Sequence, residues 1–213
     1  MARLLKRYGL AHIDLLVLTH PQRDQFGGAA QVIERFPVCA VVLPGLPVAH
    51  AERDAVLELA ARKEIPVTRA RRGTVYRAGP LRVEVLWPDG PCSPAEDPNR
   101  RSVVLRAAYE DTDALLPADA ESAVTNTLGL GPAEVLKVAH HGSRDEGLPA
   151  LLRRTQLRLA IVSAGEDNRF GQPAPSTLAA LAEAPGLVTF RTDRDGTVIV
   201  ETDRTRLTVA TAP

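Results

Sequence analysis

The order of strand-like and helix-like segments constrains the fold of this chain more than any other feature of its sequence. Up to Glu64, short apolar runs alternate with helical patterns, and the same alternation returns after Ala120. Between them, residues 74–116 hold four short runs of alternating polarity separated by turn-forming residues. Strands joined by helices run parallel, whereas closely spaced alternating strands form an antiparallel meander. The sequence therefore predicts an α/β fold in which two mixed sheets pack face to face with helices outside, rather than one doubly wound parallel sheet.

The boundaries of the predicted elements follow from apolar periodicity and from the glycines and prolines between them. Strands are predicted at Ile13–Thr19, Val38–Leu43, Thr74–Arg77, Leu81–Trp87, Ser102–Tyr109, Asp113–Leu116, Glu134–Val138, Leu159–Ser163, Leu187–Arg191, Thr197–Glu201 and Arg206–Ala210. Helices are predicted at residues 2–8, Ala29–Phe36, Glu52–Glu64, after Ala120, Leu148–Arg154 and Ser176–Ala184. The Asp195-Gly196 pair is predicted to form the hairpin turn between the strands beside it. Pro88–Arg100 is rich in proline and is predicted to be a surface loop.

Length and charge limit the organisation of the chain. Its 213 residues match one full-sized domain, so we predict a single domain over residues 1–213. No apolar run approaches the roughly 20 residues that cross a bilayer, and we expect the chain to be soluble as it stands. Lysine plus arginine and aspartate plus glutamate both number 26, so the overall charge does not indicate a polyanionic partner.

Three of the five histidines directly follow apolar runs that are predicted to be strands, namely His20, His140 and His141. Asp24 lies in the loop after the first of these runs, and Asp119 follows another. Strand ends deliver side chains to a common rim, which is where open α/β sheets usually place their sites. We therefore predict that these five residues converge in one shallow pocket.

The first motif is the segment from Thr19 to Gly28, in which a strand is followed by His20, by Asp24 and by a glycine pair that opens a helix. It resembles the first metal motif of the metallo-β-lactamase superfamily, His-x-His-x-Asp-His. Gln22 and Gln25 stand where that pattern has two further histidines. The alternative interpretation of this motif alone is a turn in which the histidine only caps backbone groups.

Three further segments extend the resemblance over residues 13–200. They are Lys137-Val138-Ala139-His140-His141-Gly142-Ser143, Asn168-Arg169-Phe170-Gly171-Gln172-Pro173 and Thr192-Asp193-Arg194-Asp195-Gly196. In this order they are similar to the soluble C-terminal domain of ComEC-type competence proteins, the channels that bring transforming DNA across the bacterial membrane.

This resemblance implies a metallo-β-lactamase-like αββα sandwich and a metal-dependent phosphodiesterase or nuclease activity on DNA during uptake. His20, Asp24, Asp119, His140 and His141 fall on metal positions, with Asp24 and His141 as the catalytic pair and zinc or manganese, one or two ions, as the cofactor. Ser143 and Lys137 are weaker candidates for contact with a bound phosphate. The implied partners are single-stranded DNA and the membrane-channel portion of a competence protein, and the implied location is an extracytoplasmic domain attached to the cell membrane.

One departure from the family pattern bears on activity. Gln22, Gln25 and Gln172 replace histidines, and a carboxamide is a far weaker ligand than imidazole for zinc or manganese. We expect this to weaken the activity, and the alternative is a catalytically silent structural or DNA-binding domain that holds no metal.

The family fold also begins with strands that are not found before Ile13. The resemblance therefore implies a domain that lacks its opening strands or a fragment of a longer channel protein. Because a missing strand leaves an open sheet edge, pairing with another copy of the chain is a further expectation.

Arginines cluster outside these motifs as well. Arg69, Arg71 and Arg72, with Arg77 and Arg82 nearby, are a candidate phosphate-binding run. An ordinary solvated face is the other interpretation of this cluster.

Overall fold

A computed structural model describes residues 2–45, 51–204 and 206–212 of the chain. Its twelve strands are β1 (Leu16–Val17), β2 (Val41–Leu43), β3 (Val67–Arg69), β4 (Val75–Ala78), β5 (Leu81–Trp87), β6 (Val104–Tyr109), β7 (Thr112–Leu116), β8 (Val135–Lys137), β9 (Leu159–Val162), β10 (Val188–Arg191), β11 (Thr197–Thr202) and β12 (Leu207–Ala212). Its helices are α1 (Ala2–Arg7), α2 (Arg23–Phe26), α3 (Ala29–Arg35), α4 (Ala51–Arg62), α5 (Ser122–Thr125), α6 (Leu148–Thr155), α7 (Pro175–Glu183) and α8 (Thr192–Asp195). A 3-10 turn spans Ala139–Gly142.

The strands form three sheets. A parallel three-stranded sheet has the order β1-β2-β3, and a mixed seven-stranded sheet has the order β10-β9-β8-β7-β6-β5-β4. In the second sheet β7 to β10 run parallel, whereas β4 to β7 form the predicted antiparallel meander. The strands β11 and β12 pair only with each other among the described residues.

Alternation along single strands produces the layers, because successive side chains of a strand point to opposite faces. On β2, Val41 packs with Ile33 of α3 and Val56 of α4. Its neighbour Val42 packs instead with Val85 of the seven-stranded sheet. The three-stranded sheet therefore lies between two helices and the larger sheet.

The outer face of the seven-stranded sheet is covered in the same way. Leu136 of β8 packs with Leu151 of α6 and Leu181 of α7, and all three side chains are almost fully buried. The layers are thus helix, sheet, sheet and helix, which confirms the predicted sandwich of two sheets with outer helices.

The predicted hairpin at Asp195-Gly196 is wrong. The preceding strand β10 is instead the parallel edge strand beside β9, and the residues after it form the short helix α8. Asp195 accepts a hydrogen bond from the backbone N–H of Arg191 (2.7 Å), which closes this helical turn. The Asp-Gly pair therefore ends a helix, and β11 finds its antiparallel partner in β12.

Two short elements near the start of the chain were not predicted. Val67–Arg69 forms β3 at the edge of the parallel sheet, and Asp24 lies on the four-residue helix α2 rather than in a loop. Both segments are too short for a periodic pattern to show in the sequence. Among the described residues, none of the helices combines the length and the apolar character that a bilayer span requires.

Candidate metal centre

The side chains predicted to form a site gather where β1, β7, β8 and β9 end. A cavity of about 730 Å³ opens there, lined by Asp24, Asp119, His140 and His141 together with Pro21, Gln22, Arg23, Ala164, Gly165, Asn168, Arg169, Phe170 and Gln172. The carboxyl ends of parallel strands from both sheets meet at this edge, so residues far apart in sequence share one pocket.

His20 lies beneath the pocket and is fully buried. Its Nδ1 is 3.1 Å from the hydroxyl of Thr19, which fixes the orientation of the ring. Its Nε2 is 3.4 Å from Oδ2 of Asp119, but it has no hydrogen-bond partner in the described structure. A buried imidazole nitrogen without a partner is costly unless something absent from the polypeptide binds it.

Asp119 is the second buried member of the group, and its Oδ1 also has no hydrogen-bond partner among the described residues. Burial raises the pKa of its carboxyl, but the neighbouring His20 imidazole and Lys137 ammonium outweigh burial and hold the pKa below its usual value. Asp119 is therefore a carboxylate that faces the same space as the free nitrogen of His20.

His20, Asp24 and Asp119 each place one donor atom within 4.8 Å of the other two. One imidazole nitrogen and two carboxylate oxygens are ligands that zinc and manganese accept. The two unpartnered buried atoms and this spacing fit a single divalent ion, so the three residues could hold one.

His140 lies against the same carboxylate and is positioned by Glu121. Its Nε2 is 3.8 Å from Oδ2 of Asp119, and its Nδ1 is 3.0 Å from Oε1 of Glu121. The hydroxyl of Ser143 donates a hydrogen bond to the same Glu121 oxygen. The contact with Glu121 raises the pKa of His140, and the same contact lowers the pKa of Glu121.

His141 connects the two sheets. Its Nδ1 lies 2.7 Å from the carbonyl oxygen of Ser163, and its Nε2 lies 3.3 Å from Oδ2 of Asp24 on α2. Because a carbonyl oxygen can only accept, Nδ1 carries the proton there. Although burial would raise the pKa of Asp24, its contacts with Gln25 and His141 lower it.

The backbone around the site adopts conformations that side chains other than glycine rarely take. Ala118, His140 and His141 have φ angles of 53°, 46° and 53°. Each left-handed residue costs about 1 kcal/mol or more, and such residues concentrate at functional sites. The strain places both histidines on the pocket, directly after β8.

Lys137 supplies a buried positive charge beside these carboxylates. Burial lowers the pKa of its ammonium, and Asp119 and Asp24 oppose that effect. Its Nζ lies 3.5 Å from the carbonyl oxygen of Ala118. Lys137 thus stabilises the loop that carries Asp119 rather than lining the cavity.

The three glutamines at the other expected ligand positions are all half-buried. Gln22 and Gln172 line the cavity, and Gln25 donates from Nε2 to Oδ2 of Asp24 (2.8 Å). Gln22 donates to Oδ1 of Asn99 (2.7 Å). Two of the three carboxamides are therefore engaged in hydrogen bonds with protein groups.

The structure adds residues that the sequence interpretation did not select. Glu121 could have been found as the acid two positions after Asp119, although its contact with His140 depends on folding. Phe170 is 70% exposed at the pocket rim with the guanidinium of Arg169 5.2 Å from its ring centroid. The rim therefore presents an aromatic face and a cation to whatever enters.

The chain is similar to known proteins over most of its length. The family model of the metallo-beta-lactamase superfamily matches residues 1–166. ComE operon protein 3 of Bacillus subtilis (strain 168) is 31% identical over 194 residues, which is 89% of this chain and 25% of that protein. Recombination protein 2 of Haemophilus influenzae is 26% identical over 182 residues, 83% of this chain and 21% of that protein. The chain thus spans about a quarter of the length of these relatives, and the similarity to competence proteins predicted from the motifs is confirmed.

Two solved structures share the fold. A candidate metal-dependent hydrolase from Parabacteroides distasonis aligns with a TM-score of 0.53 and 11% identity over 85% of this chain and 77% of its own. A mutant of the CmlA beta-hydroxylase aligns with a TM-score of 0.55 and 11% identity over 85% of this chain and 43% of its own. At this identity the likeness concerns the fold alone.

Proposed function

Since the chain belongs to the metallo-β-lactamase superfamily, we propose that it is a metal-dependent phosphodiesterase that hydrolyses DNA, with activity weakened by the glutamines at three ligand positions. The observation that carries this proposal is the group of His20, Asp24 and Asp119, whose donor atoms lie within 4.8 Å of one another. Two of those residues hold buried polar atoms that the polypeptide leaves unpartnered.

A divalent ion held by His20, Asp24 and Asp119 would polarise a phosphoryl oxygen and neutralise the charge that develops on it. The residues around it have separate tasks. His141 is fixed by the Ser163 carbonyl and faces Asp24, so this pair is placed to take up and hold a proton at Nε2. His140 is fixed by Glu121 and faces Asp119.

The rim of the pocket supports an anionic polymer as the substrate. Arg23 and Arg169 line the cavity and offer guanidinium groups to phosphate oxygens. The exposed ring of Phe170 offers a face for base stacking, which contributes about 1–3 kcal/mol per base in proteins that bind single strands. Single-stranded DNA is the substrate class that these groups fit best.

The longer relatives suggest the setting in which this activity would act. We propose that the domain works beside the membrane-channel portion of a competence protein, on the extracytoplasmic side. Within the described residues, β1 has no further strand beyond it in its sheet. Self-association through that edge is a related proposal, which sedimentation of the purified chain would test.

Metal titration and DNA cleavage by purified protein test the proposed activity. We expect Mn²⁺ or Zn²⁺ to bind at one site and to support cleavage of a single-stranded oligonucleotide. Asp119→Asn keeps the shape but removes the anionic ligand, and it should weaken metal binding by about a hundredfold and abolish cleavage. Asp111→Asn is the matched control, because Asp111 is exposed in the turn at the other end of β7.

Failure of the parent protein to bind either ion, or cleavage that Asp119→Asn leaves unchanged, would contradict the proposal. The first result would favour a silent DNA-binding domain. The hydrogen bonds of Gln22 to Asn99 and of Gln25 to Asp24 support that alternative, because they engage two carboxamides that stand where the family pattern has histidines. Oligonucleotide binding without metal would then be the expected property.

A further inference from the structure

A second cleft carries a cluster of arginines. It lies beside the cavity at His20, Asp24 and Asp119, which we call the metal-site pocket. The cleft has a volume of about 570 Å³ and is formed by the end of β3 and the segment after it, by the start of the proline-rich loop after β5, and by Gly45 after β2. One wall consists of Arg69, Ala70, Arg71 and Arg72, and the other runs from Pro88 to Cys92. Arg77 and Arg82, the other members of the predicted run, do not line it, and Arg82 is paired with Glu84 (2.8 Å).

The charge of the cleft is positive and largely uncompensated. Arg72 is paired with Asp89 at 3.2 Å. Within the part of the chain that the structure describes, neither Arg69 nor Arg71 has a carboxylate within 4.0 Å, and both side chains are exposed. The two guanidiniums are therefore available to an external anion.

The opposite wall is held in place from behind. The guanidinium of Arg101, whose side chain is only 7% exposed, donates to the carbonyl oxygens of Asp89 (3.1 Å), Gly90 (3.3 Å) and Pro91 (3.2 Å). It also contacts the sulfur of Cys92 at 2.7 Å. A buried arginine that binds successive carbonyls makes this wall rigid, which lowers the entropy lost when a ligand is bound.

This fixed wall also leaves backbone donors available. The backbone N–H groups of Gly90 and Cys92 donate no hydrogen bond to any of the residues that the structure describes. Free N–H groups beside guanidiniums are the donor set that binds phosphate oxygens. The chemistry of the cleft therefore matches a phosphate group.

The position of the cleft links it to the metal centre. The segments after β1 and β3 leave the same edge of the three-stranded sheet, two strands and about 10 Å apart. The proline-rich loop spans that distance, because it forms the cleft wall at Asp89 and reaches the other pocket at Asn99, which accepts the hydrogen bond from Gln22. One extended single strand of nucleic acid could occupy both sites.

We infer that this cleft binds phosphate groups of the same single-stranded DNA whose scissile bond enters the metal-site pocket. This inference rests on the proposed function for the identity of the ligand. Arg69 and Arg71 bind two phosphates on the strand, and the wall held by Arg101 contributes backbone donors. Because phosphates carry no sequence information, the cleft adds affinity without sequence preference.

Binding of a fluorescent dT20 oligonucleotide over a range of salt concentrations tests this inference. Each phosphate contact on a single strand contributes about 0.7 to the slope of log K against log salt, so Arg69→Ala with Arg71→Ala should reduce the slope by about 1.4. Arg69→Lys with Arg71→Lys should retain most of the slope. Arg35→Ala, an exposed arginine at the end of α3 on the opposite side of the sheet, should leave it unchanged. Thermal unfolding of each variant would show whether the fold is retained.

Other measurements separate this inference from the proposed activity. The small diester bis(p-nitrophenyl) phosphate cannot reach both sites, so the arginine variants should hydrolyse it as the parent does. An arginine-dependent slope without hydrolysis of any substrate would uphold the cleft and overturn the phosphodiesterase. If the proteins hydrolyse the diester but the salt slope of the Arg69→Ala, Arg71→Ala double variant equals that of Arg35→Ala, the cleft alone would be overturned. Arginine-dependent binding of inorganic phosphate without oligonucleotide binding would also overturn it, because the cleft would then be a small-anion site.

Discussion

On the seven-stranded sheet, each site histidine is hydrogen-bonded to a group of another loop. On the three-stranded sheet, His20 and Asp24 are each hydrogen-bonded to the residue beside them in the chain, in a segment that also carries two glutamines. On the larger sheet, His140 is bonded to Glu121 and His141 to the Ser163 carbonyl. On the smaller sheet, the segment after β1 offers one free imidazole nitrogen and one carboxylate. The comparison indicates that the partners that position the site histidines are in place, whereas glutamine stands at three positions where the family pattern has histidine, two of them after β1 and one, Gln172, after β9.

The largest expected effect comes from restoring those ligands. Gln22→His, Gln25→His and Gln172→His together should raise zinc or manganese affinity by several orders of magnitude, since each good nitrogen ligand contributes a few kcal/mol and about 1.4 kcal/mol is tenfold. Isothermal titration of the triple variant and the parent measures the difference. Gln31→His on the exposed face of α3 is the control and should change nothing.

Equal and negligible binding by both proteins would show that the defect is not confined to ligand type, and the comparison between the two sheets would fail. Tight binding by the parent would instead show that three donors suffice.

A second prediction tests how closely the loops on the larger sheet are packed. A Cβ on Gly142 would lie 2.7 Å from Cβ of Pro173, at a φ of +80°. Gly142→Ala should therefore destabilise the protein by about 3 kcal/mol. Gly171 has a φ of +66°, but a Cβ added there would have nothing within 4 Å. Gly171→Ala should therefore lose only about 1 kcal/mol of stability, from the left-handed backbone conformation. Urea unfolding measures both, and equal losses would mean that the two loops are not in tight contact.

A third prediction concerns the pH dependence of the Glu121–His140 pair in protein free of metal. The raised pKa of His140 adds stability that is complete below its ordinary value of 6.5 and is lost as pH rises through the raised value. The lowered pKa of Glu121 adds stability that is present above its ordinary value of 4.5 and is lost as pH falls through the lowered value. Glu121→Gln should therefore lower the free energy of unfolding most between pH 4.5 and 6.5, and less on either side of that range.

The expected maximum of that cost is about 1 kcal/mol, because both side chains are partly exposed. Chemical unfolding in EDTA across pH 3.5–8.5 would record it. Glu146→Gln is the control, since Glu146 is paired with Arg144 on the surface. A cost for Glu121→Gln that does not vary with pH would show that Glu121 does not position His140 through its charge.

The smallest expected effect concerns the backbone before Asp119. Ala118 has a φ of 53°, which favours glycine, so Ala118→Gly should stabilise the protein by about 0.5 kcal/mol. Ala120 lies two residues further on, is fully buried and does not have a positive φ. Ala120→Gly should therefore destabilise the protein by about 1 kcal/mol. The same sign for both changes would remove the evidence for strain in this loop.

The sequence determined the sandwich and most of its elements, because apolar periodicity records which face of each strand and helix is buried. It also placed His20, His140, His141 and Asp119 after strands, and parallel strands from the two sheets bring such positions to one edge. Their role as metal ligands stays a prediction.

Only the tertiary structure decided the remaining features, because they depend on contacts between residues far apart in the chain. The local sequence Asp195-Gly196 is typical of a hairpin turn. In the structure, however, β10 pairs with β9, and β11 pairs with β12. Glu121 becomes a partner of His140 only when the segment after β8 takes up its left-handed turn. The cleft likewise exists because Arg101 holds the proline-rich loop opposite Arg69 and Arg71, an arrangement that no local pattern encodes.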